Sequence, residues 1–170
     1  MTDDSTGDAT SNDSTGDPTS DDQATDSATT GSTSDDPTDE SVDADVRERI
    51  ESDPYCATLG IELRELGPGS ATTALTLTDD LVNFHGTPHG GAIYSLADAA
   101  FAAASNSHGE TAVALETNIS YLSAVDVGTT VLATATETHL TRRTGEYEVV
   151  LTTEGDGERL ATFRGRVYRP

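Results

Sequence analysis

Residues 81–109 read LVNFHGTPHGGAIYSLADAAFAAASNSHG and gather the side chains that could do chemistry: histidines, two adjacent glycines, and one aspartate inside an alanine-rich run. A carboxylate in such a setting can attack a carbonyl carbon or draw a proton from water. Gly90 and Gly91 stand where a helix should start. A helix start offers unpaired N–H groups and about half an elementary positive charge, which suits an anion or a developing oxyanion. Glycines there would let a ligand approach the backbone, or simply permit a tight turn after Pro88. Asp98 is a poor residue for a helix interior. It follows Gly91 by about two turns, on the face of Gly91, Tyr94 and Ser95. Taken alone, that position reads first as a solvated surface carboxylate.

Other chemistries find less support in the same stretch. His85 and His89 are four residues apart, but sharing a metal at that spacing needs a helix, and Gly86 and Pro88 argue for a loop. There is no third ligand at suitable spacing and Cys56 is the only cysteine, so no metal site is expected. Ser95 in IYSLAD lacks the GxSxG frame of a serine nucleophile. The glycines form neither GxGxxG nor a Walker loop, which disfavours a nucleotide fold; no cofactor is expected.

The elements that must position these residues follow from periodicity. VRERIES suggests a short helix over Val46–Ser52. IELREL and SATTALTLT alternate as half-buried strands do, with GPGS as the turn between them. LVNFHGTP is a loop leading into a long helix over Gly90–Asn106. Ile93, Leu96, Ala97, Ala100, Phe101 and Ala104 form its apolar stripe. Four more strand-like runs come after His108-Gly109: TAVALETNISYL, TTVLATATETHLT, EYEVVLTTE and RLATFRGRVYR. The separators VDVG, RRTG and GDGE are hairpin-grade turns. A run of strands served by one long helix is an α+β domain with an antiparallel sheet, and the small stripe residues let a sheet curl closely around that helix.

Residues 1–44 are Asp, Ser, Thr and Gly with almost nothing to bury, so they are expected to be a disordered acidic tail; residues 45–170 suffice for one compact domain. The chain carries a formal net charge of -22, and its nine basic residues are all arginine. That balance argues against nucleic acid, which is bound through Lys and Arg. It also resembles proteins adapted to high internal salt, where dense carboxylates stay hydrated and repulsion is screened over about 3 Å at 1 M salt. No run approaches the roughly 18 apolar residues of a membrane span, and the acidic N-terminus lacks the marks of a signal peptide. With a lone cysteine, a reducing, cytoplasmic setting is the expectation.

The string N-x-x-G-x-x-H-G-G-x-x-x-x-L-x-D, supplied by Asn83, Gly86, His89, Gly90, Gly91, Leu96 and Asp98, closely resembles the PaaI-type hotdog-fold acyl-CoA thioesterases. The likeness continues through ADAAFAAASNSHG, the strand ending ISYL, VGTTVLATATETHL, RTGEYEVVL and the closing LATFRGRVYR. It covers essentially everything after Tyr55 and is nearest to the phenylacetate-degradation branch.

That resemblance implies a hotdog fold, in which an antiparallel sheet wraps one long helix, and hydrolysis of an aryl or hydroxyphenylacetyl-CoA, or a related acyl-CoA, to free acid and CoA. Asp98 would be the nucleophile or general base. The N–H of Gly90 or Gly91 would be the oxyanion donor, with Asn83 and His89 orienting the carbonyl and bracing the loop. Some relatives carry a hydroxyl on the strand after the helix; counting back from ISYL, Ala114 falls there. A hotdog enoyl-CoA hydratase or dehydratase, and a non-catalytic acyl-CoA-binding protein, are the alternatives. Gly91 and Asp98 are about 10 Å apart along the helix axis, too far for one chain to bring both easily to one thioester carbon. An obligate homodimer with shared sites is therefore expected, or a homotetramer of two such dimers. Arg142 and Arg143, at a turn beside the sheet, are candidates for the CoA phosphates, or else partners of surface carboxylates.

Overall fold

The computed structural model describes residues 41–170, so the disorder expected of the acidic tail falls almost wholly outside it. Two short helices come first. In α1 (Ala44–Glu51) the Asp43 carboxylate accepts from the N–H groups of Asp45 and Val46, which satisfies donors that every helix start leaves unpaired. In α2 (Pro54–Leu59) Asp53 caps in the same way, proline takes the first turn, and Gly60 ends the helix in the left-handed region at φ 77°. This second helix was not expected, although its signals, D-P at the start and L-G at the end, stand in the sequence.

The strands are β1 (Glu62–Gly67), β2 (Ser70–Thr76), β3 (Val113–Tyr121), β4 (Thr130–Leu140), β5 (Thr144–Thr153) and β6 (Arg159–Tyr168), with the long helix α3 (Gly90–Asn106) between β2 and β3. They form one sheet in the order β1-β2-β4-β5-β6-β3, every pair antiparallel. The expected α+β class, the limits of the long helix and the placing of two strands before it and four after it hold, while the first helix starts at Ala44 and ends at Glu51 rather than spanning Val46–Ser52. The third expected turn is tighter than RRTG, because Thr144 and Gly145 already pair in β5.

The chain crosses from α3 to the far edge of the sheet, so β1 and β3 are its two edges. On the inner face α3 packs chiefly against β2 and β4. All six stripe residues are buried, and they meet Val131, Ala133, Val149, Leu151 and Phe163. The close fit is visible at Gly165, where an added Cβ would lie 2.6 Å from the Phe101 ring. Only the absence of a side chain in β6 lets that ring settle against the sheet. Three serine and threonine hydroxyls are buried with partners, as the interior requires: Thr73 donates to the Leu96 carbonyl at 3.1 Å, Ser105 to the Ala102 carbonyl at 3.2 Å, and Ser107 accepts the Gly69 N–H at 2.7 Å. Among the described residues no helix is long and apolar enough to cross a membrane.

Candidate active site at the start of the central helix

The loop before α3 is held by one side chain. The Asn83 amide oxygen accepts from His85 N–H at 2.8 Å, its amide nitrogen donates to the Thr87 hydroxyl at 2.9 Å, and its backbone N–H donates to the Thr87 carbonyl at 2.8 Å. Such side-chain-to-backbone closure is what suits asparagine to turns. Gly86 completes the turn at φ 77°. Asn83 thus braces the loop.

His89 is the N-cap of α3, and its Nδ1 accepts the Gly91 N–H at 2.8 Å. An imidazole nitrogen that accepts cannot carry the proton, so this bond assigns the neutral ring its hydrogen on Nε2. The Gly91 N–H is therefore held by an imidazole with which an incoming carbonyl oxygen must compete. The two glycines make room for side chains of this chain itself. A Cβ on Gly91 would come within 2.8 Å of His89 Nδ1, and one on Gly90 within 3.3 Å of the Tyr121 hydroxyl.

Tyr121, at the end of β3, donates its hydroxyl to the Gly90 carbonyl at 2.8 Å. Burial, and then the neighbouring Tyr94, push its phenol above the ordinary tyrosine range, so it remains a donor. One turn into the helix, Tyr94 shares a hydrogen bond with Thr117 of β3. A strand hydroxyl thus reaches the helix from Thr117, whereas Ala114 is exposed.

Asp98 lies on the same side of α3 as Ser95 and is half-buried. Burial alone raises its carboxyl above the ordinary aspartate range, since a partly desolvated charge is disfavoured. The cover comes from α2. The Tyr55 and Ser95 hydroxyls are 2.9 Å apart, and Cys56 feels Asp98: burial first, then Asp53, and more weakly Asp98, push its thiol up to about 11. Between α2, the loop and the helix start is an open cleft of about 430 Å³, walled by Tyr55, Leu59, Leu81, His89, Gly91 and Ser95. Its size and mixed lining suit a small organic group. A larger hollow of about 620 Å³ lies on the outer face of the sheet. It sits among the Arg166–Glu116, Arg166–Glu146 and Arg164–Glu148 ion pairs, and none of Asp98, His89, Gly90 and Gly91 lines it.

Asn83, His89, Gly90 and Gly91 are thus brought together, with Asp98 further along the same helix. Arg142 and Arg143 are not. They are exposed on the β4–β5 turn. That turn is tied through Arg169, which contacts the Arg143 and Thr141 carbonyls and Glu110, to the segment just beyond the end of α3. A helix of 17 residues is about 25 Å long, which separates them from its start. Tyr55, Thr117 and Tyr121 were missed as site residues because only the docking of α2 and β3 brings them there.

The profile of the Thioesterase superfamily matches residues 85–160. A putative esterase of Deinococcus radiodurans is 40% identical over 70% of this chain and 81% of its own length. The acyl-coenzyme A thioesterase PaaI of Escherichia coli K12 is 37% identical over 70% of this chain and 84% of its own. The solved structure of the E. coli PaaI protein, from the phenylacetic acid degradation operon, superposes with a TM-score of 0.70 at 35% identity, covering 73% of this chain and 89% of that one.

Proposed function

The chain belongs to the thioesterase superfamily as a PaaI-type hotdog thioester hydrolase, and from that premise we propose that it cleaves acyl-CoA to free acid and CoA, with an aryl or hydroxyphenylacetyl group on the acyl side. The observation that carries this reading is Asp98: a half-buried carboxylate with a raised pKa on the exposed face of the helix whose start is built by His89, Gly90 and Gly91. Hydrolysis develops negative charge on the carbonyl oxygen, and one fixed donor aimed at it is worth about 3 kcal/mol. The Gly91 N–H and His89 Nε2–H would supply that donation. Asp98 would attack the carbonyl carbon or activate water, with the CoA thiolate leaving. Arg142 and Arg143 would serve the CoA phosphates only from another chain, given their place on the sheet.

The active form in this reading is a homodimer. Two features support it: the roughly 10 Å between Gly91 and Asp98 along one helix, and the open edge at β3, where Val113, Leu115 and Tyr121 are 51%, 56% and 53% exposed. Unpaired strand edges with apolar side chains invite a second strand.

The test is free-thiol release from a panel of acyl-CoAs. Asp98→Asn should abolish it. Binding without release, or hydration of an enoyl-CoA without release, would overturn the proposal. Single turnover in oxygen-18 water tests the nucleophilic role of Asp98: label appearing in its carboxylate marks an acyl-anhydride that water opens at the aspartyl carbon.

A further inference from the structure

Gly90 C=O and Gly91 N–H are the two ends of one peptide unit, and each end is held by a side chain. Tyr121 donates its hydroxyl to the carbonyl at 2.8 Å, and His89 Nδ1 accepts from the N–H at 2.8 Å. A peptide is a conjugated plane, so a hydrogen bond to its oxygen fixes that plane and draws electron density away from its N–H. Gly90 is the residue that permits this, because a Cβ there would crowd the Tyr121 hydroxyl at 3.3 Å and the ring carbon bearing it at 3.4 Å.

We infer that Tyr121 is a positioning residue for thioester hydrolysis: through the Gly90 carbonyl it fixes and polarises the Gly91 N–H, the donor for which the oxygen on which charge develops competes with His89 Nδ1. This rests on the thioesterase reading above. The tyrosine does not touch the substrate; it acts through the peptide. Its own surroundings keep it able to do so, since burial and the adjacent Tyr94 hold the phenol protonated. The strand that carries Tyr121 also carries Thr117, bonded to Tyr94, so β3 is pinned to the first turns of α3 at two points and the phenol cannot drift from its acceptor.

Tyr121→Phe keeps the ring and removes only the donor. Cooperativity strengthens a bond by roughly a tenth to a third, and one oxyanion donor is worth about 10²–10³-fold; kcat should therefore fall about two- to eight-fold with KM unchanged. The Gly91 amide proton resonance should move upfield, a shift that loss of packing elsewhere would not produce. Replacing Tyr121 with a fluorotyrosine, a stronger donor of the same shape, should restore kcat and return the resonance downfield. An unchanged kcat in Tyr121→Phe overturns the inference whatever the resonance does, as does a fall in kcat with the Gly91 resonance unmoved. Wild-type protein that releases no thiol would instead sink the thioesterase reading.

Discussion

Asp98 pays for its position in stability, and that cost makes its role measurable. Its carboxyl is raised by burial, so the ionised form is less favourable in the folded chain than in the unfolded one. The penalty is absent at low pH, where both states are protonated. It grows as pH rises from the ordinary aspartate range to the raised folded value, and is constant above it. Asp98→Asn should therefore raise Tm at neutral pH, with the gain vanishing in acid, while thiol release falls about 10²–10⁴-fold as for loss of a general base. The acid limb of the kcat profile should lie above the usual aspartate range, because the carboxylate must be ionised to act. A melting curve unchanged by the substitution at pH 7 would count against the buried carboxylate.

At the scale of elements, α3 is begun by a residue with two jobs. His89 caps the helix through Nδ1 and presents Nε2–H outward. His89→Ala should lose both, lowering stability by about 0.5–2 kcal/mol together with turnover; His89→Asn restores a cap and should recover stability but not kcat. Chemical denaturation read beside steady-state rates separates the two.

How far the sequence reveals these elements depends on the reach of the forces involved. The α3 limits, its buried stripe and the alternating strands were legible, because burial imprints period on composition. The loop-bracing role of Asn83 entered through the family resemblance, although the turn chemistry behind it is local. By contrast, α2 was overlooked because its six residues carry no period, only caps. Tyr121 could not be read at all: its acceptor, Gly90, is brought to it by β3 crossing to the far edge of the sheet. That Arg142 and Arg143 stand at the other end of α3 was not legible either, because only the topology sets their place.

At the scale of the whole molecule, charge and symmetry matter most. The 31 acids include 13 in the first 43 residues, leaving 18 against nine arginines in the remainder. Two of those arginines, Arg164 and Arg166, sit among glutamates on the outer face of the sheet; exposed pairs of this kind add little each, so repulsion among the excess acids remains. Unfolding midpoints should rise as KCl goes from 0.1 to 1 M, over which screening shortens from about 10 to 3 Å; a flat dependence would remove the high-salt reading. Symmetry gives a second test. If sites are shared, Asp98→Ala and Gly91→Pro (which deletes the N–H) are each inactive alone, yet a mixed dimer keeps one intact site of two. Co-expressed and purified as heterodimers, they should recover about half the wild-type turnover; none would argue against sharing.

The notch that Gly165 leaves for the Phe101 ring has a bearing on how this chain can vary. Neither position is free to change by itself, since a methyl on the strand collides with the ring and a smaller side chain on the helix opens a void. A lineage could cross that barrier only by altering both, so the two should be inherited as a unit.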